Sequence, residues 1–256
     1  MFGTDNLLTY QIHDAVTAFS TLRSGGVSEG NYRSFNINPF CGDNPDHVSH
    51  NRKLMCDFLG ITEDRLILPR QIHGDSILQV NHIPLQPHDT DGFDAVITPL
   101  RHVCIGVSTA DCVPVLLYAQ GNTPVIAAVH AGWRGTQQRI VEKTVKVLCN
   151  EYHVAANDIF AVIGPCIHRE AFEVGDEVFE AFRAAGFDMA GISEKMHERW
   201  HIDLPECNRL QLWQNGVPEN HIQVSNYCTF SHNDRFFSAR RQGILSGRIY
   251  TGIILK

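Results

Sequence analysis

Several features that would assign this chain to a common class are missing. There is no Cys-x-x-Cys pair, no uncharged apolar run long enough to span a bilayer, no cluster of Lys and Arg, and no low-complexity segment. The first absence argues against a disulfide framework, and the second excludes a transmembrane helix. With a net charge of −7, the chain also lacks the basic surface that grips nucleic acid.

The composition predicts one folded unit. Residues are 43% hydrophobic and 19% charged, and neither a Pro/Ser linker nor an internal repeat divides the sequence. We therefore expect a single domain over residues 1–256. The eight cysteines are scattered, which is typical of reduced core thiols. The first residues lack the basic and apolar regions of a secretory signal, so a cytoplasmic protein is expected.

Hydrophobic periodicity predicts more strands than helices. Segments rich in β-branched or aromatic residues predict strands at 15–22, 66–71, 77–80, 95–98, 104–108, 113–118, 125–130, 159–163, 222–225 and 236–238. Helical spacing predicts helices at 45–59, 136–152, 176–185 and 203–215. Because both short turns and helices connect the strands, we expect an α+β fold with a large mixed β-sheet flanked by helices.

Three potential metal ligands each follow or end a predicted strand: His73, Cys112 and His130. Two imidazoles and one thiolate leave the fourth position of a tetrahedral zinc ion open, as a catalytic site requires. The three residues are far apart in sequence, so the fold must assemble them. Taken singly, each also has an ordinary interpretation as a core or surface residue.

The segment after His130 predicts an anion site. Its glycines, Gly132 and Gly135, bracket a turn between a strand and a helix expected to begin at Thr136. Backbone N–H groups at a helix start attract phosphate, and Arg134 adds charged donors. Alternatively, the glycines serve only a tight connection.

Motifs along nearly the whole chain resemble the YfiH/YlmD/FAMIN family, whose members were long labelled laccase-like multicopper polyphenol oxidoreductases. The matching segments are TLRSGGVS at 21–28, FNIN at 35–38, QIHG at 71–74, DGFDA at 91–95, TADCVP at 109–114, HAGWRGT at 130–136, IGPCI at 163–167 and FSARR at 237–241. This chain departs from the family pattern at Phe40-Cys41, where His-Val is commoner, and at Ala239, where Tyr is usual.

The resemblance implies a zinc-dependent purine nucleoside phosphorylase. Family members are understood to split adenosine, inosine, guanosine and methylthioadenosine with phosphate, and to deaminate adenosine. Their fold is α+β and is likened to a bacterial toxin deamidase. Position by position, the family's ligands fall on His73, Cys112 and His130, in agreement with the pattern of residue types.

Other roles are assigned from the needs of the reaction. Phosphorolysis requires an anion site, which we assign to Arg134 and Thr136, and contacts to ribose or base, for which Arg23 and Asn36 are candidates. The signature of common nucleobase deaminases, His-x-Glu with Pro-Cys-x-x-Cys, is missing. The general acid or base is therefore open, with Asp75 and Asp111 as candidates.

Three alternatives remain open. Cys112 could be the nucleophile of a cysteine hydrolase or deamidase, with His130 as its base and His73 as an orienting partner. A copper polyphenol oxidase needs several copper centres, whereas one triplet supplies one. A partner-binding protein with a structural zinc needs a closed four-ligand site. The expected cofactor is thus zinc, with copper as the alternative, and the expected partners are purine nucleosides and phosphate, neither nucleic acid nor membrane.

Overall fold

The computed structural model describes residues 2–256, which form fourteen β-strands and seven α-helices. The strands are β1 (Leu7–Tyr10), β2 (Val16–Thr21), β3 (Leu66–Ile67), β4 (Ile77–Gln79), β5 (Ala95–Thr98), β6 (Cys104–Thr109), β7 (Val113–Ala119), β8 (Val125–Ala131), β9 (Ile159–Ile163), β10 (Glu173–Val174), β11 (Ser193–Met196), β12 (Arg199–Ile202), β13 (Ile222–Val224) and β14 (Ile249–Leu255). The helices are α1 (Pro45–Leu59), α2 (Trp133–Gln137), α3 (Ile140–Glu151), α4 (Asp176–Ala184), α5 (Met189–Ile192), α6 (Leu204–Gln214) and α7 (Ala239–Gln242).

The strands form two large mixed sheets and one small sheet. The first has the order β1-β2-β14-β6-β3 and is antiparallel except where β3 joins β6. The second has the order β13-β9-β7-β8-β5-β4, with parallel pairs at its two edges. A three-stranded sheet, β10-β12-β11, completes the set. The predicted α+β fold with mixed sheet is confirmed, with the expected single large sheet divided into two.

Alternating side chains explain how these layers stack. On β7, Leu116 and Tyr118 pack into the core between the two large sheets, whereas Val115 and Leu117 join the core that includes helix α3. Helix α1 covers the outer face of the first sheet with buried Met55. The order of layers is therefore helix, sheet, sheet and helices, which buries both faces of each large sheet.

Helix ends follow their local sequence. The side chain of Asn44 accepts a hydrogen bond from the Asp46 amide at the start of α1, and Gly60 ends that helix with a φ of 67°. Asp203 caps the start of α6, where its carboxylate accepts a hydrogen bond of 3.0 Å from the Glu206 amide.

Two predicted elements are wrong. The helix predicted at 136–152 is two helices, because α2 already begins at Trp133 and the chain turns at Arg139, whose φ is 62°, before α3 starts at Ile140. The segment predicted as a strand at 236–238 pairs with no strand among the described residues. Phe236 and Phe237 are fully buried there, so their apolar character reflects core packing. No helix within residues 2–256 has the length and apolarity needed to cross a membrane.

Candidate metal site and pocket

The fold brings the three predicted ligands together. His73 lies in the loop between β3 and β4, Cys112 precedes β7, and His130 lies near the end of β8. Strands β7 and β8 are antiparallel neighbours with Pro114 opposite His130, which places Cys112 beside the end of β8. One ligand atom from each of the three residues lies within 4.8 Å of the others.

Asp94 supports two of the three ligands from behind. Its Oδ1 atom lies 2.7 Å from Nδ1 of His130, and both residues are almost completely buried. The same carboxylate accepts hydrogen bonds from the backbone amides of Ile72, His73 and Gly74, at 3.2, 3.0 and 2.7 Å. A carboxylate on one imidazole nitrogen orients the other nitrogen toward a metal. Burial alone raises the pKa of Asp94, but these hydrogen bonds and the charge of His130 lower it.

The backbone at His73 is fixed in an uncommon conformation. Its φ of 62° lies in the left-handed region, which costs energy for a residue other than glycine. The Asp94 carboxylate holds the amides on both sides of this turn. The conformation turns the exposed His73 toward the buried His130, and the two rings meet edge to face with centroids 4.8 Å apart.

Gly132 leaves room for the ligands. A Cβ atom at this position would lie 3.0 Å from Cδ2 of His73 and 3.2 Å from Sγ of Cys112. Both distances are shorter than ordinary van der Waals contact. The absence of a side chain at Gly132 therefore leaves room for the ligand atoms, which a Cβ there would push by a few tenths of an ångström, and the predicted anion-binding role of the turn stays a prediction.

The electrostatics of the cluster favour a thiolate. Burial by itself raises the pKa of the Cys112 thiol, but the charge of His130 and hydrogen bonds from His130 and His73 prevail and lower it to about 6. For His130, burial lowers the pKa, whereas the Cys112 thiolate and Asp94 raise it to about 9. Without a metal, the pair is thiolate and imidazolium at neutral pH. The thiolate is the form that binds metals or attacks carbonyls.

All three ligands line one pocket of about 260 Å³. It is also lined by Asn38, Phe40, Cys41, Gln71, Ser108, Thr109, Ala110, Ala239, Ile244 and Arg248. Its polar wall is held by Gln71, whose side chain bonds both the amide and the carbonyl of Ser108 at 2.8 and 2.9 Å. A metal bound by the triplet would therefore be accessible to a small molecule.

The predicted substrate contacts lie elsewhere. Asn36 is fully buried and bonds Asp43 and the Arg248 amide, so it shapes the pocket wall from behind. Arg23 bonds the carbonyls of residues 33 and 233. Thr136 is buried, and its hydroxyl donates to the Ala131 carbonyl.

The predicted charged groups are also engaged away from the pocket. The guanidinium of Arg134 lies over the Trp133 ring, 4.3 Å from its centroid. Asp75 is paired with Lys143. Asp111 accepts hydrogen bonds of 2.7 Å from the Thr229 hydroxyl and from the Arg240 amide. The roles assigned to these residues stay predictions.

Sequence reasoning missed Asp94 and Arg248. Asp94 carries a readable signal, since it is an acidic residue directly before the buried strand β5. Arg248 carries no such signal in the sequence, because it lies near the other end of the chain and joins the pocket only through the tertiary fold.

The donor set fits one metal ion. Two imidazoles and a thiolate suit zinc or copper, and an oxygen-preferring cation such as magnesium is disfavoured. Orientation of His130 by Asp94 and the space at Gly132 are the features expected around such an ion. Within residues 2–256 this triplet is the single group with ligand atoms close enough to hold a metal.

The layered fold and the His/Cys/His cluster beside a pocket define a protein that can bind one metal next to a small molecule. A family model described as multi-copper polyphenol oxidoreductase laccase matches residues 17–256, and the chain belongs to this family. Relatives that carry the names YfiH and YlmD confirm the resemblance read from the motifs.

Three comparisons cover nearly the whole chain. A purine nucleoside phosphorylase of Bacteroides thetaiotaomicron is 42% identical over 263 residues, covering 100% of this chain and 96% of the relative. Adenosine deaminase RL5, from an unknown prokaryotic organism, is 38% identical over 251 residues, 95% of each chain. The crystal structure of YlmD from Geobacillus stearothermophilus superposes with a TM-score of 0.90 at 29% identity, covering 100% of this chain and 98% of that one. The prediction of an enzyme is confirmed.

Proposed function

We propose that this chain is a zinc-dependent purine nucleoside phosphorylase that acts on adenosine, inosine, guanosine and methylthioadenosine and also deaminates adenosine. The observation that carries the proposal is the cluster of His73, Cys112 and His130, which lines a pocket large enough for part of a nucleoside. The names of the two relatives supply the two reaction types.

Zinc is favoured over copper by the number of ligand groups. A multicopper oxidase moves electrons among several copper ions, whereas residues 2–256 offer one cluster. Zinc bound by two imidazoles and a thiolate would supply Lewis acidity at a site open to substrate. His73, Cys112 and His130 would hold it, and Asp94 would fix the imidazole of His130.

In phosphorolysis, a phosphate oxygen bonds to C1′ of the ribose as the bond between C1′ and N9 of the purine breaks. The base leaves with the bonding electron pair and takes up a proton. The protein must therefore hold an anion next to C1′ and orient the ribose. Gln71, Ser108 and Asn38 form a fixed polar wall: Nδ2 of Asn38 donates to the Ser108 hydroxyl at 2.5 Å.

Arg248 is the arginine that lines this pocket. Its guanidinium donates to the carbonyls of Ile244, Ser246 and Gly247 at 2.9, 2.6 and 3.0 Å. An arginine has five N–H donors, so its charge and the remaining donors are left for phosphate. Phosphate binding by Arg134, which the sequence predicts, stays a second proposal, because the Arg134 side chain is exposed and lies two residues from Gly132.

A cysteine hydrolase is the second candidate, favoured by one specific observation. Asp94, His130 and Cys112 form a chain of carboxylate, imidazole and thiolate, and the pKa of Cys112 is lowered to about 6. This is the arrangement of an activated cysteine nucleophile. In the hydrolase, His73 would only orient and stabilise the Cys112 thiolate, whereas the metal proposal uses all three residues as ligands.

Product analysis separates the candidates. Purified protein is incubated with inosine, with and without phosphate, after metal removal and after zinc or copper is added back. We expect hypoxanthine and ribose 1-phosphate only with phosphate and zinc. Full activity in metal-free protein, or base release independent of phosphate, would contradict the proposal.

A further inference from the structure

Two large apolar side chains line the pocket while remaining exposed. Phe40 is 49% exposed and Ile244 is 74% exposed. Surface residues of this size usually bury most of their area, and single exceptions need no explanation. Here both line one pocket, whose other lining residues include the polar Gln71 and Ser108 and the three candidate metal ligands. Pockets for small molecules commonly combine such an apolar wall with a few placed polar groups.

The loop that carries Phe40 is held in place. The Phe40 amide donates to Oδ1 of Asn38 at 2.6 Å, and the Tyr32 hydroxyl donates to the carbonyl of Cys41 at 3.0 Å. The guanidinium of Arg70 lies over the Phe40 ring, 5.7 Å from its centroid. The ring therefore has a cation near it and also lines the pocket.

The loop that carries Ile244 is fixed by Arg248 and tied to the Phe40 loop. The Arg248 guanidinium binds the Ile244 carbonyl at 2.9 Å. The backbone amide of Arg248 donates to Oδ1 of Asn36 at 3.1 Å, and Nδ2 of Asn36 donates to the Asp43 carboxylate at 2.9 Å. The buried Asn36 side chain thus connects both loops, so the backbone that carries Phe40 and Ile244 keeps a set position without substrate.

We propose that Phe40 and Ile244 form the apolar contact surface for the purine base of the substrate, with the Phe40 ring stacked on one face of the base. This inference rests on the proposed function. An aromatic ring pairs with any base face and reads no hydrogen-bond pattern, so adenine, hypoxanthine and guanine are held alike. Phe40 is then the residue that allows one pocket to bind several different purine bases.

Kinetics with three nucleosides test this assignment. Phe40→Leu keeps an apolar side chain but removes the ring, and we expect KM for adenosine, inosine and guanosine to rise roughly tenfold each, with kcat within about twofold. Phe40→Tyr should restore KM. Trp213→Leu, at an aromatic residue of α6 that is 53% exposed outside the pocket lining, is the matched control and should change nothing.

A binding measurement separates this inference from the proposed reaction. The fluorescence of 2-aminopurine riboside falls when its base stacks, so it is titrated into wild-type protein and each variant without phosphate. We expect quenching in wild type, Phe40→Tyr and Trp213→Leu, and binding about tenfold weaker in Phe40→Leu. Quenching in a protein that shows no phosphorolysis would support the stacking role of Phe40 and contradict the proposed reaction. Equal binding and equal KM in wild type and Phe40→Leu would overturn the role of Phe40 even if the enzyme is active.

Discussion

Nδ1 of His130 lies 2.7 Å from Oδ1 of Asp94, and the same carboxylate holds the amide of His73 at 3.0 Å. One buried acidic residue therefore positions two of the three candidate ligands. It fixes the ring of one histidine directly and the backbone turn of the other. The third ligand, Cys112, faces this arrangement as the thiolate.

Asp94→Asn is expected to weaken zinc binding by about ten- to a hundredfold, the usual cost of losing a carboxylate behind a metal-bound histidine. The substitution keeps the size of the side chain but removes its charge and one of its acceptor oxygens. Competition with a chromogenic chelator measures the change.

Asp91→Asn serves as the control for this variant. Asp91 is partly exposed and pairs with Arg70 and His88 at the surface. Its substitution should leave zinc affinity unchanged. Equal zinc affinities for the Asp94→Asn variant and the control would show that Asp94 has no part in holding the site.

Gly132→Ala should reduce zinc content while the fold is retained. The φ of Gly132 is −65°, which alanine adopts readily, so the effect comes from the Cβ atom 3.0 Å from the His73 ring. Gly3→Ala is the control, because within residues 2–256 no atom beyond its two chain neighbours lies within 4 Å of a Cβ there. Metal analysis and circular dichroism of both proteins check this. Stoichiometric zinc in Gly132→Ala would mean that the ligands have more room than the structure shows.

Replacement of Arg248 should raise the KM for phosphate more than the KM for the nucleoside. Arg248→Gln is expected to raise KM for phosphate about tenfold or more, the cost of losing a charge-assisted contact. Arg134→Gln should change it less than about twofold, since its guanidinium lies over Trp133. Initial rates at varied phosphate decide between them. A larger increase in the phosphate KM for Arg134→Gln than for Arg248→Gln would show that Arg134 binds phosphate, as the sequence predicts.

The reactivity of Cys112 should follow its lowered pKa. In metal-free protein, the thiolate is present above pH 6 and is lost below it, so labelling by iodoacetamide should have a midpoint near pH 6. Burial raises the pKa of Cys104 to about 12, and that thiol should stay unlabelled. Mass spectrometry of peptides from protein labelled between about pH 5 and 8, where folded proteins are usually most stable, measures both. Zinc should suppress labelling of Cys112, whereas rapid labelling of zinc-loaded protein would favour the cysteine hydrolase.

Much of the fold could be predicted because the central strands are continuous apolar runs. The bounds of β5 and β9 are as the sequence predicts, and so is α1, whose cap residues are explicit. Strand β14 is not predicted, although all its residues are buried, because Thr251 and Gly252 interrupt its apolar character. The division into two sheets depends on long-range pairing of β14 with β2 and β6, which local patterns do not record.

The ligands of the site could be predicted from the sequence, whereas the residues that position those ligands could not. Residue type and position at strand ends single out His73, Cys112 and His130. The left-handed turn at His73 is stabilised by Asp94, which lies 21 residues further along the chain. Similarly, Asn36 looks like a substrate contact in sequence but connects to Arg248, 212 residues away, inside the protein. Such contacts follow from tertiary packing alone.

The central claim is that His73, Cys112 and His130 hold one zinc ion that phosphorolysis requires. The most direct measurement compares zinc per chain and inosine phosphorolysis in wild type, Cys112→Ala and Cys149→Ala, the last altering a half-buried thiol outside the site. We predict about one zinc per chain and activity in wild type and Cys149→Ala, and neither in a folded Cys112→Ala protein. A Cys112→Ala protein that keeps stoichiometric zinc and full activity would contradict the account.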